Sequence, residues 1–82
     1  MDVIVTPPAQ KQYKKLPSFE QNKIDRKLST LKDFPESGKK LSGDVHYLRS
    51  IRAWPYRILY FIDEKQHKIF VVTIAHRQGV YQ

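Results

Sequence analysis

The chain has 82 residues, 15 Lys and Arg against 8 Asp and Glu, a formal net charge of +7, 40% hydrophobic residues and no cysteine. This length suits one small domain, residues 1–82, with a thin core, and the lack of cysteine excludes disulfides and thiolate zinc sites. No apolar run approaches the roughly 18 residues of a membrane helix, and Met1-Asp2-Val3 does not begin like a signal peptide, so the expectation is a cytoplasmic protein with a polyanionic partner such as nucleic acid and no membrane association.

Val3-Ile4-Val5-Thr6 is short, β-branched and apolar, which predicts a strand. Pro7-Pro8 stops it and suits the first turn of a helix. Ala9, Tyr13 and Leu16 carry that helix at i, i+4 and i+7, and Pro17 ends it. Ser18, with Gln21 three residues on, predicts an N-cap and capping box for a second helix running to about Asp33. Ile24, Leu28 and Leu31 form its apolar stripe, while Lys23, Arg26, Lys27 and Lys32 read as a solvated face with a general attraction for RNA. Pro35 and Gly38 mark its exit.

The second half changes period. Residues 46–52 alternate loosely, and Ala53-Trp54-Pro55 reads as a turn. Tyr56 to Asp63, rich in aromatic and branched residues, predicts a strong strand. Asp63 to His67 forms a polar hairpin loop. Ile69 to Ile74 is nearly continuous apolar, as in a central strand buried on both faces. The predicted fold is a small α+β domain of order β-α-α-β-β-β. Its C-terminal strands form an antiparallel meander, the N-terminal strand joins that sheet, a helical hairpin covers one face, and the other face stays concave and partly open.

Enzyme signatures are sparse. The glycines, Gly38, Gly43 and Gly79, make no phosphate loop, and His46, His67 and His76 lack metal-ligand spacing, so neither a cofactor nor a metal is expected. Charge type carries more information. Eight of the nine basic residues in 1–40 are lysines, whereas four of the six in 41–82 are arginines: Arg49, Arg52, Arg57 and Arg77. A meander sets the end of its last strand beside the start of the strand before it, which brings Arg57 and Arg77 together. Two close guanidiniums repel each other unless an anion lies between them, the arrangement expected for gripping a phosphodiester. The plainer reading of each arginine alone is a solvated strand end. Trp54 and Tyr56 are candidates for stacking on bases or for turn packing.

The order Lys40-Leu41-Ser42-Gly43, Tyr47-Leu48-Arg49-Ser50-Ile51-Arg52, Tyr56-Arg57-Ile58-Leu59-Tyr60, Ile74-Ala75-His76-Arg77 and Val80-Tyr81 resembles the RelE/ParE superfamily of toxins from toxin–antitoxin modules. The opening Val3-Ile4-Val5-Thr6-Pro7 and the helical hairpin are similar as well. Tyr56-Arg57 and His76-Arg77…Tyr81 resemble the RelE branch, whose members cut messenger RNA, many in the ribosomal A site. ParE-like members inhibit DNA gyrase instead. A nucleic-acid-binding module without catalysis is a further alternative. The resemblance implies a metal-free reaction in which a ribose 2′-hydroxyl attacks the adjacent phosphate. It also implies a cognate antitoxin, messenger RNA and ribosomal RNA as partners.

By the same resemblance, Arg57 holds the scissile phosphate, Arg77 lies near the leaving group, Tyr81 orients phosphate or nucleotide, and His76 is a candidate acid or base. Arg52, Arg49, Lys40, His46 and Trp54 are candidate substrate contacts, although strand alternation sets Arg49 and Arg52 on opposite faces. Two positions depart from the pattern. Ser50 stands where relatives often carry a basic residue, and Trp54-Pro55 replaces the Gly-Asp often seen before Tyr-Arg, which leaves the general base unassigned. The sequence ends at Gln82, directly after Tyr81, so an antitoxin is expected to occlude the arginine face or to dock across the helical hairpin.

Overall fold

The computed structural model describes residues 1–80. β1 (Asp2–Val5) leads into α1 (Pro7–Lys14) and α2 (Ser18–Asp33). A 3-10 turn at Pro35–Ser37, the two-residue β2 (Lys39–Lys40) and a second 3-10 turn at Gly43–Val45 precede β3 (Arg49–Ala53). β4 (Tyr56–Asp63), β5 (Lys68–His76) and a single helical turn, α3 (Arg77–Val80), complete it. The sheet has five strands in the order β1-β5-β4-β3-β2. β3, β4 and β5 form the expected antiparallel meander, and β1 joins it parallel to β5. The predicted α+β order therefore holds, with β2 as an addition.

Both helices lie on one face. Ala9 of α1 and Ile24 and Leu31 of α2 are buried against Ile51, Ile58, Tyr60, Ile69, Val71 and Ile74. Each large aliphatic side chain so buried contributes on the order of 1.5–3 kcal/mol. β5 is central but buried on one face only: Ile69, Val71 and Ile74 are enclosed, whereas Phe70 and Thr73 of the other face stay half-exposed. The apolar run reads as doubly buried, but only one helical layer exists to cover it. A register shift at Leu59/Tyr60 keeps Tyr60 inward, opposite Val71.

α1 also completes the edge that β1 leaves short. β1 pairs with β5 only as far as Val71, and Thr6 continues the contact by donating its amide (3.0 Å) and hydroxyl (2.8 Å) to the Val71 carbonyl. Past that point Gln12 Oε1 accepts from the Ile74 amide at 2.7 Å, giving this part-buried N–H the partner that a longer β1 would have supplied.

The capping box at Ser18 does not form. Pro17 occupies the N-cap with no side-chain cap bond; its carbonyl accepts from the amides of Glu20 and Gln21, each at 3.0 Å. Gln21 instead donates its side-chain amide to the Tyr13 carbonyl at 3.0 Å, tying α2 back to the end of α1. Leu16 lies beyond the end of α1. Glu20 is buried in the first turn of α2, where the helix dipole favours a carboxylate, and its Oε1 pairs with Lys23 at 3.2 Å.

A cationic cluster at the end of the sheet

β3 ends and β4 begins around the turn Trp54-Pro55, whose peptide bond is cis. Pairing across this hairpin sets Arg52 directly opposite Arg57, and the β4–β5 ladder sets Arg57 opposite Ala75 and Tyr56 opposite His76. Residues directly opposite share a face. Ile51 and Ile58 point into the core, so Arg52, Arg57 and Ala75 all point to the open face of the sheet. Like charges directly opposite each other are destabilising, and an anion between them would relieve that.

The end of β5 supplies the next cation. His76 is exposed and makes an edge-on ring contact with Tyr56, centroids 5.7 Å apart. Its Nδ1 accepts from the Gln78 amide at 3.3 Å, which leaves Nε2 as the ring nitrogen that carries the proton in the neutral imidazole. Arg77 then opens α3. Its amide donates to the Pro55 carbonyl at 2.9 Å, which ties this turn to the Trp54-Pro55 loop. The Arg77 guanidinium lies 4.8 Å from the Trp54 ring centroid and that of Arg52 lies 5.9 Å away. Both distances are within cation–π range. Trp54 remains 53% exposed, so its indole is a surface feature rather than core packing.

Arg52, Trp54, Arg57, His76 and Arg77 thus lie at one end of the sheet, with His76 beside Tyr56 on the face opposite that of Arg57. The other candidates lie elsewhere. Arg49 is opposite Tyr60 on the core-facing side, where it donates to the carbonyls of Gly38 (2.9 Å) and Glu36 (3.4 Å). Its role there is to hold the Pro35–Gly38 segment. Lys40 pairs with Arg49 and shares its side of the sheet, whereas Lys39 stands opposite Ser50, on the same open face as Arg52 and Arg57. His46 is exposed in the loop before β3, with Nδ1 3.2 Å from the Gly43 carbonyl, and rests edge-on against Tyr47. Tyr47 in turn meets Phe61, which stacks on Phe70 at 5.2 Å. Phe61 is four residues along β4 from Arg57, or about 13 Å at the usual strand rise. Tyr81 lies outside the described residues.

Three residues that read as solvated in the sequence belong to the same surface. Lys23, Arg26 and Lys27 of α2 line a cleft with Arg52, Ala53 and Trp54, and Lys23 reaches the Trp54 carbonyl at 3.4 Å. Their i, i+3, i+4 spacing put them on one helix face; only the packing of α2 against β3 shows what that face meets. Among the described residues no group of three His, Asp or Glu side chains could hold a metal ion, and no helix is long and apolar enough to cross a membrane.

The model for the ParE toxin of the type II toxin–antitoxin system, parDE, matches residues 3–81. The curated Toxin RelE of Mycobacterium tuberculosis is 38% identical over 45 residues, which is 55% of this chain and 46% of that protein, so the match spans just under half the relative's length. The toxin–antitoxin complex RelBE2 from Mycobacterium tuberculosis contains a chain 27% identical to this one, with a TM-score of 0.85 and coverage of 93% of this chain and 96% of that one. The isolated E. coli RelE toxin (23% identity, TM-score 0.79, 92% and 82% coverage) and the archaeal RelE-RelB complex from Pyrococcus horikoshii (19%, 0.76, 96% and 97%) share the fold.

Proposed function

The chain belongs to the ParE toxin family of type II toxin–antitoxin systems, within the RelE/ParE superfamily, and on that premise we propose that it is a RelE-type endoribonuclease that cuts messenger RNA in the ribosomal A site and is neutralised by a cognate antitoxin. The observation that carries this reading is a chain of cations at one end of the sheet: Arg57 directly opposite Arg52, and Arg52 and Arg77 both within cation–π distance of Trp54. Guanidiniums gathered in this way suit the anionic oxygens of a phosphodiester, which they can grip with paired hydrogen bonds.

The reaction needs no resident cofactor. The ribose 2′-oxygen attacks the adjacent phosphorus, the 5′-oxygen of the next nucleotide leaves, and the products are a 2′,3′-cyclic phosphate and a 5′-hydroxyl. Charge develops on the non-bridging oxygens of the phosphorane, where preorganised cations lower the barrier most. Arg57, held in the middle of a three-stranded ladder, is the phosphate clamp. Arg77 stabilises the same charge from the leaving-group side. His76, with its Nε2 proton available, donates to a phosphate or leaving oxygen; the Nδ1 contact with the Gln78 amide makes it the weaker candidate for base. Lys39, across the ladder from Ser50, supplies the cation that the Ser50 position lacks.

The test is inducible expression followed by mapping of messenger RNA 5′ ends. Codon-phased cuts that disappear in Arg57→Ala support the reading. Intact messages together with inhibited gyrase supercoiling would establish the second reading, ParE-like gyrase inhibition, which the identity of the matching family model favours.

A further inference from the structure

A cleft of about 380 Å³ opens between α2 and the end of β3, lined by Lys23, Arg26, Lys27, Arg52, Ala53 and Trp54. Four of the six lining residues are cations and none is acidic. Glu20, three residues before Lys23 on α2, is buried and pairs with it at 3.2 Å. β2 pairs only with Arg49 and Ser50, so the sheet ladder stops before Arg52 and no strand covers this side of the cleft. Arg52 belongs to both the cleft and the cluster on the open face, which makes the two cationic surfaces continuous around the end of β3.

We propose that this cleft is a track for the phosphodiester backbone of single-stranded RNA flanking the nucleotide held at Arg57 and Arg77. The proposal rests on the reading of that cluster as an RNA site and extends it to the helical layer. Arg26, Lys27 and Arg52 share a cleft whose lining holds no carboxylate, and a polyanion running between them would turn their mutual repulsion into attraction with release of counterions. The half-exposed indole of Trp54 forms one wall and offers an unstacked base an aromatic surface, which a duplex, with its bases already stacked, cannot use.

Trp54 is the sole tryptophan of the chain, so fluorescence excited selectively at the indole reports on the ring shared by the cleft and the arginine cluster. The probes are a 2′-O-methyl RNA octamer and dinucleotide, both lacking the attacking hydroxyl. The octamer is expected to bind about tenfold more tightly than the dinucleotide, or better, at low salt. Arg26→Gln/Lys27→Gln should remove that gain, leave the dinucleotide and the melting temperature unchanged, and flatten the dependence of log K on log salt by about 1.4, the contribution of two phosphate contacts on a single strand. Equal affinities for the two probes, or an octamer indifferent to the double substitution, would overturn the proposal. So would an acidic octapeptide that binds as tightly with the same sensitivity, since the cleft would then serve a protein segment. Messenger RNA cleavage is scored separately: octamer binding through the cleft without cleavage would retain the track and reject the nuclease reading, and cleavage without it would do the reverse.

Discussion

The guanidinium of Arg77 lies 4.8 Å from the ring centroid of Trp54, in the turn between β3 and β4, while the Arg77 amide is held at 2.9 Å by the carbonyl of Pro55. One loop therefore fixes both the backbone and the side chain of a residue more than twenty positions away. On the proposed function, Trp54 acts through Arg77 as a positioning residue. A cation–π contact at an exposed site is worth about 0.5–1 kcal/mol. Trp54→Ala should slow cleavage by roughly twofold to tenfold, with Trp54→Phe retaining most of the rate. On an Arg77→Ala background, Trp54→Ala should cost almost nothing further in the single-turnover rate at saturating RNA, where its contact with a flanking base no longer counts. Additive losses in that cycle would show that the indole contributes independently of Arg77.

Arg57 is half-buried and its strand is central to the meander. Arg57→Ala should lower single-turnover cleavage by about a hundredfold to a thousandfold, the usual loss for one preorganised charge-stabilising group. A cooperative melting transition in the variant separates this loss from a failure to fold. Wild-type cleavage by this variant would move the reaction centre away from the arginine cluster.

Lys39 and Lys40 are adjacent in sequence but pair with residues of opposite faces, Ser50 and Arg49. Lys39→Ala should therefore reduce cleavage by about tenfold to a hundredfold, whereas Lys40→Ala stays within about twofold of wild type. Equal effects of the two in a reporter-message cleavage assay would rule out a role set by strand alternation.

Tyr60 is fully buried, yet its hydroxyl donates to the Pro35 carbonyl at 2.7 Å and accepts from the Gly38 amide at 2.9 Å. Tyr60→Phe leaves both groups without this partner and should cost about 1–3 kcal/mol, lowering Tm by about 4–8 °C for each kcal/mol in a domain of this size. Gly38 has no room for a side chain: a Cβ there would stand 2.5 Å from the Tyr60 hydroxyl. Gly38→Ala should be comparably destabilising, by about 1–3 kcal/mol. A Tm unchanged in both variants, measured by circular dichroism, would remove this contact from the stabilising set.

Burial raises the Tyr60 phenol above the ordinary value of 10.0, against smaller opposing effects from the Gly38 hydrogen bond and the Arg49 charge. The folded state thus prefers the neutral phenol more than the unfolded chain does. That stability is fully present below about pH 10 and is lost as pH rises through the folded-state value. Denaturant titrations from pH 8 upward should show stability falling above about pH 10, and falling less steeply in Tyr60→Phe. Equal slopes in the two proteins would assign the alkaline loss to other groups.

Much of the fold was legible in the sequence because it follows from local pattern. Pro7-Pro8 and Pro17 bound α1, the stripe Ile24, Leu28 and Leu31 turns α2 toward the core, and the aromatic and branched run from Tyr56 sets β4. The capping box failed because Pro17 places Ser18 one step inside the helix, and because Gln21 finds a nearer acceptor in Tyr13. β2 was not legible: a two-residue strand, Lys39–Lys40, carries no periodicity and exists only because β3 offers it a ladder. The apolar run of β5 pointed to two covered faces because composition records hydrophobicity but not how many layers are available to bury it.

The arginine cluster divides along the same line. The meander was enough to set the start of β4 beside the end of β5, where Arg57 stands opposite Ala75, two residues before Arg77, and strand alternation was enough to separate Arg49 from Arg52. The sequence by itself determined the element order, the family resemblance and which arginines could meet. Only the tertiary structure decided that Arg49 holds the Pro35–Gly38 segment from the core side, that Lys39 rather than Lys40 faces the open side, that Trp54 meets Arg52 and Arg77, and that the cations of α2 continue that surface. Those are relations between residues far apart in the chain, and they depend on register and on how a helix seats against a strand edge. Neither is encoded in the local spacing of residues; both are set by the packing that closes the core.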